Sequence, residues 1–318
     1  MTSVPTIADV RAAAERIRPY AHRTPVLTCS SLDAMVGARL FFKCENFQKV
    51  GAFKFRGAAN AVFSLSDEDA RKGVATHSSG NHAAALALAA RLRGITAHVV
   101  MPRTSKTVKQ AAAAGYGGRI VLCDPTLVAR EATLASVVAE TGATVVHPYN
   151  DPRVIAGQGT AALELLEDVR DLDVVMAPVG GGGLLSGTAI AVASLSPKTH
   201  VVAAEPAAAD DAFRSLKEGR IVPSVDPRTV ADGLLTSLGT LTFAIIRERV
   251  ADIVTVSEEA IVAAMRHVWE RMKIVIEPSS AVPLGALIEG TMRASGQRVG
   301  VILTGGNVDL DQLPWTPR

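Results

Sequence analysis

The chain has 318 residues, 48% of them hydrophobic and 20% charged. That composition excludes a disordered polymer, and a chain of this length buries roughly three-quarters of its surface, enough for a core without metal or disulfide. Its 33 Lys and Arg against 31 Asp and Glu leave a net charge of +2 with no charge run, so neither nucleic acid nor a membrane surface is an expected partner. Cys29, Cys44 and Cys123 are scattered and form no C-x-x-C pair, which fits a reducing, cytoplasmic setting. Met1 to Arg16 holds no apolar stretch of the secretory-signal kind. The uncharged stretch between Asp173 and Lys198 contains Pro178 and Gly180–Gly183, which would break a spanning helix.

In chain order, strands are expected at Gly73–His77, His98–Met101, Ile120–Cys123, Thr144–His147, Asp173–Ala177, His200–Ala204 and Val299–Leu303. Between them lie helical stretches at Ala83–Arg93, Ser105–Ala114, Thr126–Thr141, Ile155–Val169 and Leu184–Leu195. Repeated βα units of this kind predict an α/β fold with parallel sheets. Strand runs such as Val174-Val175-Met176 are apolar throughout, as burial on both faces demands. No linker separates the halves, so one domain should be inserted in, or interwoven with, the other, with the ligand between them off the carboxyl ends of strands.

Val179-Gly180-Gly181-Gly182-Gly183-Leu184 follows one of these buried strands and opens a helix. Four glycines let an anion approach the backbone, and the helix start offers free N–H groups with a positive dipole end, so a phosphate is the expected guest. The dinucleotide pattern G-x-G-x-x-G fails, because Gly180 and Gly182 lead to Leu185 while Gly181 and Gly183 lead to Ser186. The P-loop pattern fails too, with Thr188 where its lysine should stand.

Gly51-Ala52-Phe53-Lys54-Phe55-Arg56-Gly57 sets a lysine between aromatics and glycines. An apolar pocket lowers a lysine's pKa, and the neutral amine serves Schiff-base chemistry. His77-Ser78-Ser79-Gly80-Asn81-His82 then offers two hydroxyls, an amide and free N–H groups at a helix start, which suits a carboxylate or a polar ring substituent.

Together with Phe41-Phe42-Lys43-Cys44-Glu45, Ala156-Gly157-Gln158-Gly159-Thr160, Ala204-Glu205-Pro206, Ala231-Asp232-Gly233 and Thr304-Gly305-Gly306-Asn307, these segments resemble the fold-type II pyridoxal-phosphate enzymes of the serine/threonine dehydratase and serine racemase group. The resemblance runs from about Thr24 to Asn307. It implies a tryptophan synthase β-like architecture of two open parallel-sheet domains with the cofactor in the cleft between them. Residues 1–50 and 150–318 would form the large domain, and 51–149 a small, mobile one that carries the substrate loop. Lys54 would carry the cofactor and act as base on one face, and Ser79 would stand on the other. Asn81 would bond the ring 3′-oxygen, Gly180, Gly181, Gly182 and Gly183 would hold the phosphate, and Thr304 would meet the pyridine nitrogen. Ser78, Ser79, Gly80, Asn81 and His82 would grip the substrate carboxylate. His77 and His82 border that loop and would orient it. Two positions depart from the family pattern: Ala83 stands where glycine often follows Asn-His, and Thr304 where close relatives have serine.

Glu205, the carbonyl of Ala209 and Asp211 would hold a divalent cation, Mg2+ or else Ca2+ or Mn2+, as racemase-like members do; the oxygen donors suit a hard ion. Arg130 falls where some relatives turn an arginine toward the active site, and it could meet a second substrate carboxylate or remain a solvated helix charge. A hydroxyl rather than a carboxylate at the ring nitrogen makes a weaker electron sink, which favours prompt loss of a β-leaving group. The expected activity is therefore removal of water and ammonia from L-serine or L-threonine to give a 2-oxo acid. The alternatives are serine racemisation, with Ser79 as second base, and threo-3-hydroxyaspartate ammonia-lyase activity. A β-replacement enzyme fits the quoted segments less well. A non-catalytic nucleotide-binding Rossmann protein is the reading from another class. A homodimer is expected from the resemblance, and the short stretch after Asn307 leads to an expectation of no isoleucine feedback.

Overall fold

The computed structural model describes residues 3–105 and 107–316, within which ten strands form two sheets. The strands are β1 (Val26–Leu27), β2 (Arg39–Cys44), β3 (Val74–His77), β4 (Ala97–Pro102), β5 (Gly118–Cys123), β6 (Thr144–Val145), β7 (Val174–Pro178), β8 (His200–Pro206), β9 (Asp252–Val256) and β10 (Arg298–Leu303). The larger sheet has the order β1-β2-β10-β7-β8-β9 and the smaller β5-β4-β3-β6. All pairings are parallel except that of β1 with β2, so the expected parallel architecture holds with one short antiparallel edge. The smaller sheet is contiguous in sequence and interrupts the larger one between β2 and β7.

Alternate residues of β8 explain the apolar runs. Val202 and Ala204 pack under the helices Glu258–His267 and Pro278–Glu289, while Val201 and Ala203 pack on the opposite face with Leu185 and Ile246. The smaller sheet is likewise covered on both faces, Val100 meeting Leu134 and Val99 meeting Ala83.

Element ends moved where local chemistry overrode the apolar pattern. The helix expected from Ile155 begins at Pro152, because Asp151 accepts the Arg153 N–H at 2.8 Å and Pro152 suits a first turn. The strand expected to reach His147 stops at Val145, because His147 Nδ1 accepts the N–H groups of Tyr149 and Asn150 and turns the chain away. Thr126 caps the Leu127–Thr141 helix rather than joining it. The helix expected from Ser105 runs Thr107–Gly115, and Lys106 lies outside the described residues.

The helix Lys54–Phe63 packs between Asn81–Arg93 and Pro152–Asp168. It crosses the latter very closely: a Cβ on Gly157 would lie 2.6 Å from the Arg56 carbonyl oxygen. Beneath the crossing lies a buried ionic group. Arg56 Nε and Nη2 bond both oxygens of Glu45 at 2.7 and 2.8 Å, and its Nη1 reaches Glu164 at 2.7 Å. Lys43 Nζ completes the set, 2.6 Å from Glu164 and 2.7 Å from the Thr24 carbonyl. Two cations and two carboxylates balance, and the group ties the Lys54 helix to β2 of the larger sheet. Arg56→Met leaves two carboxylates facing one lysine and is expected to cost about 3–5 kcal/mol. Urea unfolding midpoints check this, and an unchanged midpoint refutes a stabilising role for the group.

Candidate active site

Lys54 opens its helix, and backbone bonds fix the chain before it. Ala52 bridges to Gly305, Phe53 N–H donates to the Thr304 carbonyl at 2.9 Å, and Gly306 N–H donates to that of Gly51 at 2.9 Å. Lys54 Nζ donates to the Pro148 carbonyl at 3.0 Å and lies 5.1 Å above the Phe53 ring. Its enclosed position pushes its pKa down to about 8, with the Glu277 carboxylate pulling the other way. A substantial neutral-amine fraction at neutral-to-basic pH is what an imine-forming lysine needs.

The serine loop leaves the carboxyl end of β3. Ser78 N–H donates to the Val100 carbonyl at 3.1 Å, and Gly80 caps the Asn81–Arg93 helix. Asn81 donates through Nδ2 to both oxygens of Glu277, at 3.0 and 3.1 Å, and accepts at Oδ1 from Asn307 Nδ2 at 2.9 Å. Because Glu277 also acts on Lys54, the structure brings Asn81, Lys54 and the Thr304–Asn307 turn to one place. Ser78, Ser79 and Gly80 lie half-buried beside them. The His82 ring instead turns inward: Nε2 meets the Val146 carbonyl at 3.2 Å, and burial pushes its pKa down to about 3. Its ring is thus a neutral prop behind the loop.

The glycine loop connects β7 to the helix Gly183–Leu195. Its missing side chains answer to protein neighbours as well as to an anion. A methyl on Gly181 would collide with the Tyr149 ring, and Gly182 sits at φ +87° against Leu238 and Thr242. Thr242 Oγ1 donates to the Gly181 carbonyl at 2.8 Å and holds that oxygen aside. The N–H groups of Gly180 to Gly183 donate to no recorded carbonyl or side chain among the described residues. A cradle of free N–H groups, joined through Tyr149 and Pro148 to a half-buried lysine, fits pyridoxal phosphate at both its ends.

Thr304 Oγ1 lies 2.9 Å from Ser280 Oγ, which is held in turn by the N–H and carbonyl of Gly305, both at 2.7 Å. A strap from Val146 to Asn150 runs past all these parts. Val146 and Pro148 offer carbonyls to His82 and Lys54, Tyr149 covers the glycines, and Asn150 Oδ1 accepts the Leu241 N–H at 2.9 Å. His147 packs edge-on to both His77 and Tyr149.

With that geometry in hand, comparison with known proteins is decisive. The family described as "Pyridoxal-phosphate dependent enzyme" matches residues 17–305. The chain belongs to the pyridoxal-phosphate dependent enzyme family. It is 56% identical over 312 residues to the beta-hydroxyaspartate dehydratase of Paracoccus denitrificans, covering 98% of this chain and 99% of the relative. The crystal structure of serine racemase from Dictyostelium discoideum superposes with a TM-score of 0.94 at 49% identity, covering 97% of this chain and 100% of that one. The crystal structure of threonine deaminase from T.th. gives 0.91 at 48%, covering 96% and 99%. As a pyridoxal-phosphate dependent enzyme it shares the fold of racemases and deaminases alike.

At the metal residues, Glu205 spends its oxygens on the N–H groups of Ala212 and Phe213, at 2.9 and 2.8 Å, capping the helix Asp211–Glu218. Asp211 is 1% exposed, and its oxygens make no well-aligned hydrogen bond among the described residues, the Ser224 hydroxyl lying near enough only to oppose the rise in its pKa. Burial pushes Glu205 up to about 8 and Asp211 up to about 6. Among the described residues no three His, Cys, Asp or Glu side chains converge, so a cation here would rest on two carboxylates and the Ala209 carbonyl. The unpartnered Asp211 carboxylate fits one.

Arg130 lies in the first turn of Leu127–Thr141, a helix packed on β3 and β4. Its Nε is buried without a partner among the described residues, and its charge, after burial, helps push the His77 pKa down. It therefore faces the carboxyl edge of the smaller sheet, where the serine loop begins. Glu277, Ser280, His147 and Tyr149 were missed in the sequence. Glu277 reads there only as the residue before a helix-starting proline, and the others lie far in sequence from the residues they support. Among the described residues no helix is long and apolar enough to cross a membrane.

Proposed function

We propose that the chain is a dehydratase of β-hydroxy amino acids whose preferred substrate carries a second carboxylate, as threo-3-hydroxyaspartate does. The observation that carries this reading is Arg130, a cation with an unpartnered buried nitrogen beside the substrate loop. A guanidinium pairs with a carboxylate through two parallel bonds, whereas serine and threonine would leave it unmatched. The likeness to a beta-hydroxyaspartate dehydratase supports the same choice over the serine or threonine expected first.

When bound, pyridoxal phosphate draws electrons from the substrate Cα and makes its proton removable. Lys54 Nζ takes that proton, its lowered pKa giving a larger neutral-amine fraction at neutral-to-basic pH than an ordinary lysine has. The N–H groups of Gly180–Gly183 hold the phosphate, the 78–82 loop binds the α-carboxylate, and Arg130 binds the second one. Loss of the β-hydroxyl as water leaves an enamine that hydrolyses to a 2-oxo acid and ammonia. A divalent cation held by Asp211, Glu205 and the Ala209 carbonyl would neutralise two buried carboxylates. Mg2+ at about a hundred times its dissociation constant is expected to add about 2.7 kcal/mol, and so a few degrees to the unfolding temperature. Asp211→Asn should remove the gain, and an equal gain in that variant would place the ion elsewhere.

The test is 2-oxo acid release from L-serine, L-threonine and L-threo-3-hydroxyaspartate with Mg2+ present. The hydroxyaspartate is expected to give a kcat/KM at least about tenfold the others, the worth of one charge-assisted hydrogen bond. Faster release from serine or threonine restores the first expectation. No release from any of them, with a cofactor band that still responds to serine, makes racemisation through Lys54 and Ser79 the better account.

A further inference from the structure

Glu277 has no part in the chemistry above, yet it sits among the groups that do. It precedes Pro278 at the head of its helix and is 5% exposed. Its two oxygens face the Asn81 Nδ2 group, and Asn307 Nδ2 faces the Asn81 oxygen while also donating to the Val50 carbonyl at 2.7 Å. With acceptors at one end and a donor at the other, the amide has one workable orientation, since turning it over would set oxygen against carboxylate. A forked bond to Glu277 uses one Nδ2 hydrogen and leaves the second for another acceptor. The contact also joins the smaller sheet's loop to the larger sheet, because Asn81 follows β3 and Glu277 is held by the turn after β10, its N–H bonded to the Gly305 carbonyl at 2.9 Å.

Three charged groups act on Glu277: Lys54, Asp232 from the Asp232–Leu234 turn, and Lys109 from the Thr107–Gly115 helix. Lys109 Nζ and Asp232 Oδ2 pair with each other at 2.6 Å and largely cancel. The carboxylate also borders the backbone that leads to the lysine: a Cβ on Gly305 would lie 2.7 Å from Glu277 Oε1, and Gly305 bridges to Ala52, two residues before Lys54. Lys54 is thus the remaining cation that acts on it among the described residues. We propose that Glu277 is a positioning residue for the reaction: it fixes the Asn81 amide toward the cofactor and, as counter-charge, favours a proton on the Lys54 nitrogen while that nitrogen is joined to the cofactor, the stage before Lys54 is released to act as base. The proposal rests on Lys54 carrying the family's cofactor. Burial lifts the Glu277 carboxyl to about 7, with Asn81 opposing, so it is increasingly charged above neutral pH, where the Lys54 nitrogen would begin to lose its proton.

The test follows the visible absorption of the bound cofactor in the holoenzyme as pH is raised. Glu277→Gln keeps the size and an acceptor for Asn81 but removes the charge. Its titration midpoint is expected to fall by about one unit or more, the effect of losing an opposite charge at close range. Glu277→Asp keeps the charge, and its midpoint should stay near that of the unsubstituted protein. A Glu277→Gln midpoint that does not move, or an equal fall in Glu277→Asp, overturns the proposal. Where Glu277→Gln does not fold, Asn307→Ala frees the same amide from its other side. Cofactor loss on dialysis should then rise about tenfold, matching one lost hydrogen bond, and unchanged retention counts against the proposal. A missing band in the unsubstituted protein would remove the cofactor reading and the proposal with it, whereas a present band with an unmoved midpoint removes the proposal alone.

Discussion

Lys54→Ala is expected to leave the purified protein without a visible absorption band and to lower 2-oxo acid release by about 10⁴-fold or more. The proposed function sets two roles on one nitrogen: attachment of the cofactor and removal of the Cα proton. A positioned base alone contributes about 10²–10⁴-fold, and loss of the covalent anchor adds to that. The fold should survive, because the side chain's one polar bond is the 3.0 Å contact with the Pro148 carbonyl. Stability adds a signed check. The pKa of Lys54 is lowered from 10.5 to about 8, so the folded chain binds fewer protons there than the unfolded one. Its contribution to stability is present above pH 10.5 and is lost as pH falls toward 8. Removing the amine should therefore stabilise the cofactor-free chain more at pH 7 than at pH 10.5. Absorbance, oxo-acid assay and thermal unfolding at the two pH values test this together. A variant that keeps both band and turnover would displace Lys54 from the centre of the site.

Arg130→Met is expected to lower kcat/KM for threo-3-hydroxyaspartate by about a hundredfold while changing that for L-serine only a few-fold. A hydrogen bond to a charged group contributes about 1.5–3 kcal/mol, which is ten- to a hundred-and-fifty-fold. Methionine keeps much of the length and the helix propensity, and the buried Nε of Arg130 has no hydrogen-bond partner among the described residues whose loss would unfold the helix. The selectivity between substrates is the informative quantity, because damage to the loop or the cofactor would reduce both rates alike. Equal losses on both substrates would make Arg130 a structural charge and return the preferred substrate to serine or threonine.

Much of this was legible in the sequence, for a physical reason. Strands buried on both faces must be apolar throughout, and the helices between them must be amphipathic or small-sided, so β7, β8 and β10 could be read directly, whereas their order in the sheet could not. Lys54 and the glycine loop stood out as candidates because each lies in a contiguous run of unusual composition, and the structure joins the two through the Pro148–Tyr149 strap. The chain direction at His147 was not, because a ring nitrogen accepting two backbone N–H groups leaves no periodic trace. Glu277 was hidden for a different reason. Its partners Asn81 and Lys54 lie roughly two hundred residues away, and a carboxylate before Pro278 looks like an ordinary helix entrance. The phosphate reading of the glycines was incomplete as well, since Gly181 is small partly to admit Tyr149.

The strap from Val146 to Asn150 sets a condition on how such a protein can change over generations. Within five consecutive residues the strap touches Lys54, the glycine loop and His82, the prop of the serine loop. A substitution there shifts three parts of the site at once, and its effect depends on what the other two can absorb. Contacting residues of this kind depart from additivity by about 0.5–3 kcal/mol. New substrate preferences should therefore arise readily at Arg130, which stands apart from the strap, whereas changes at Tyr149 or His147 should persist only when a compensating one precedes them.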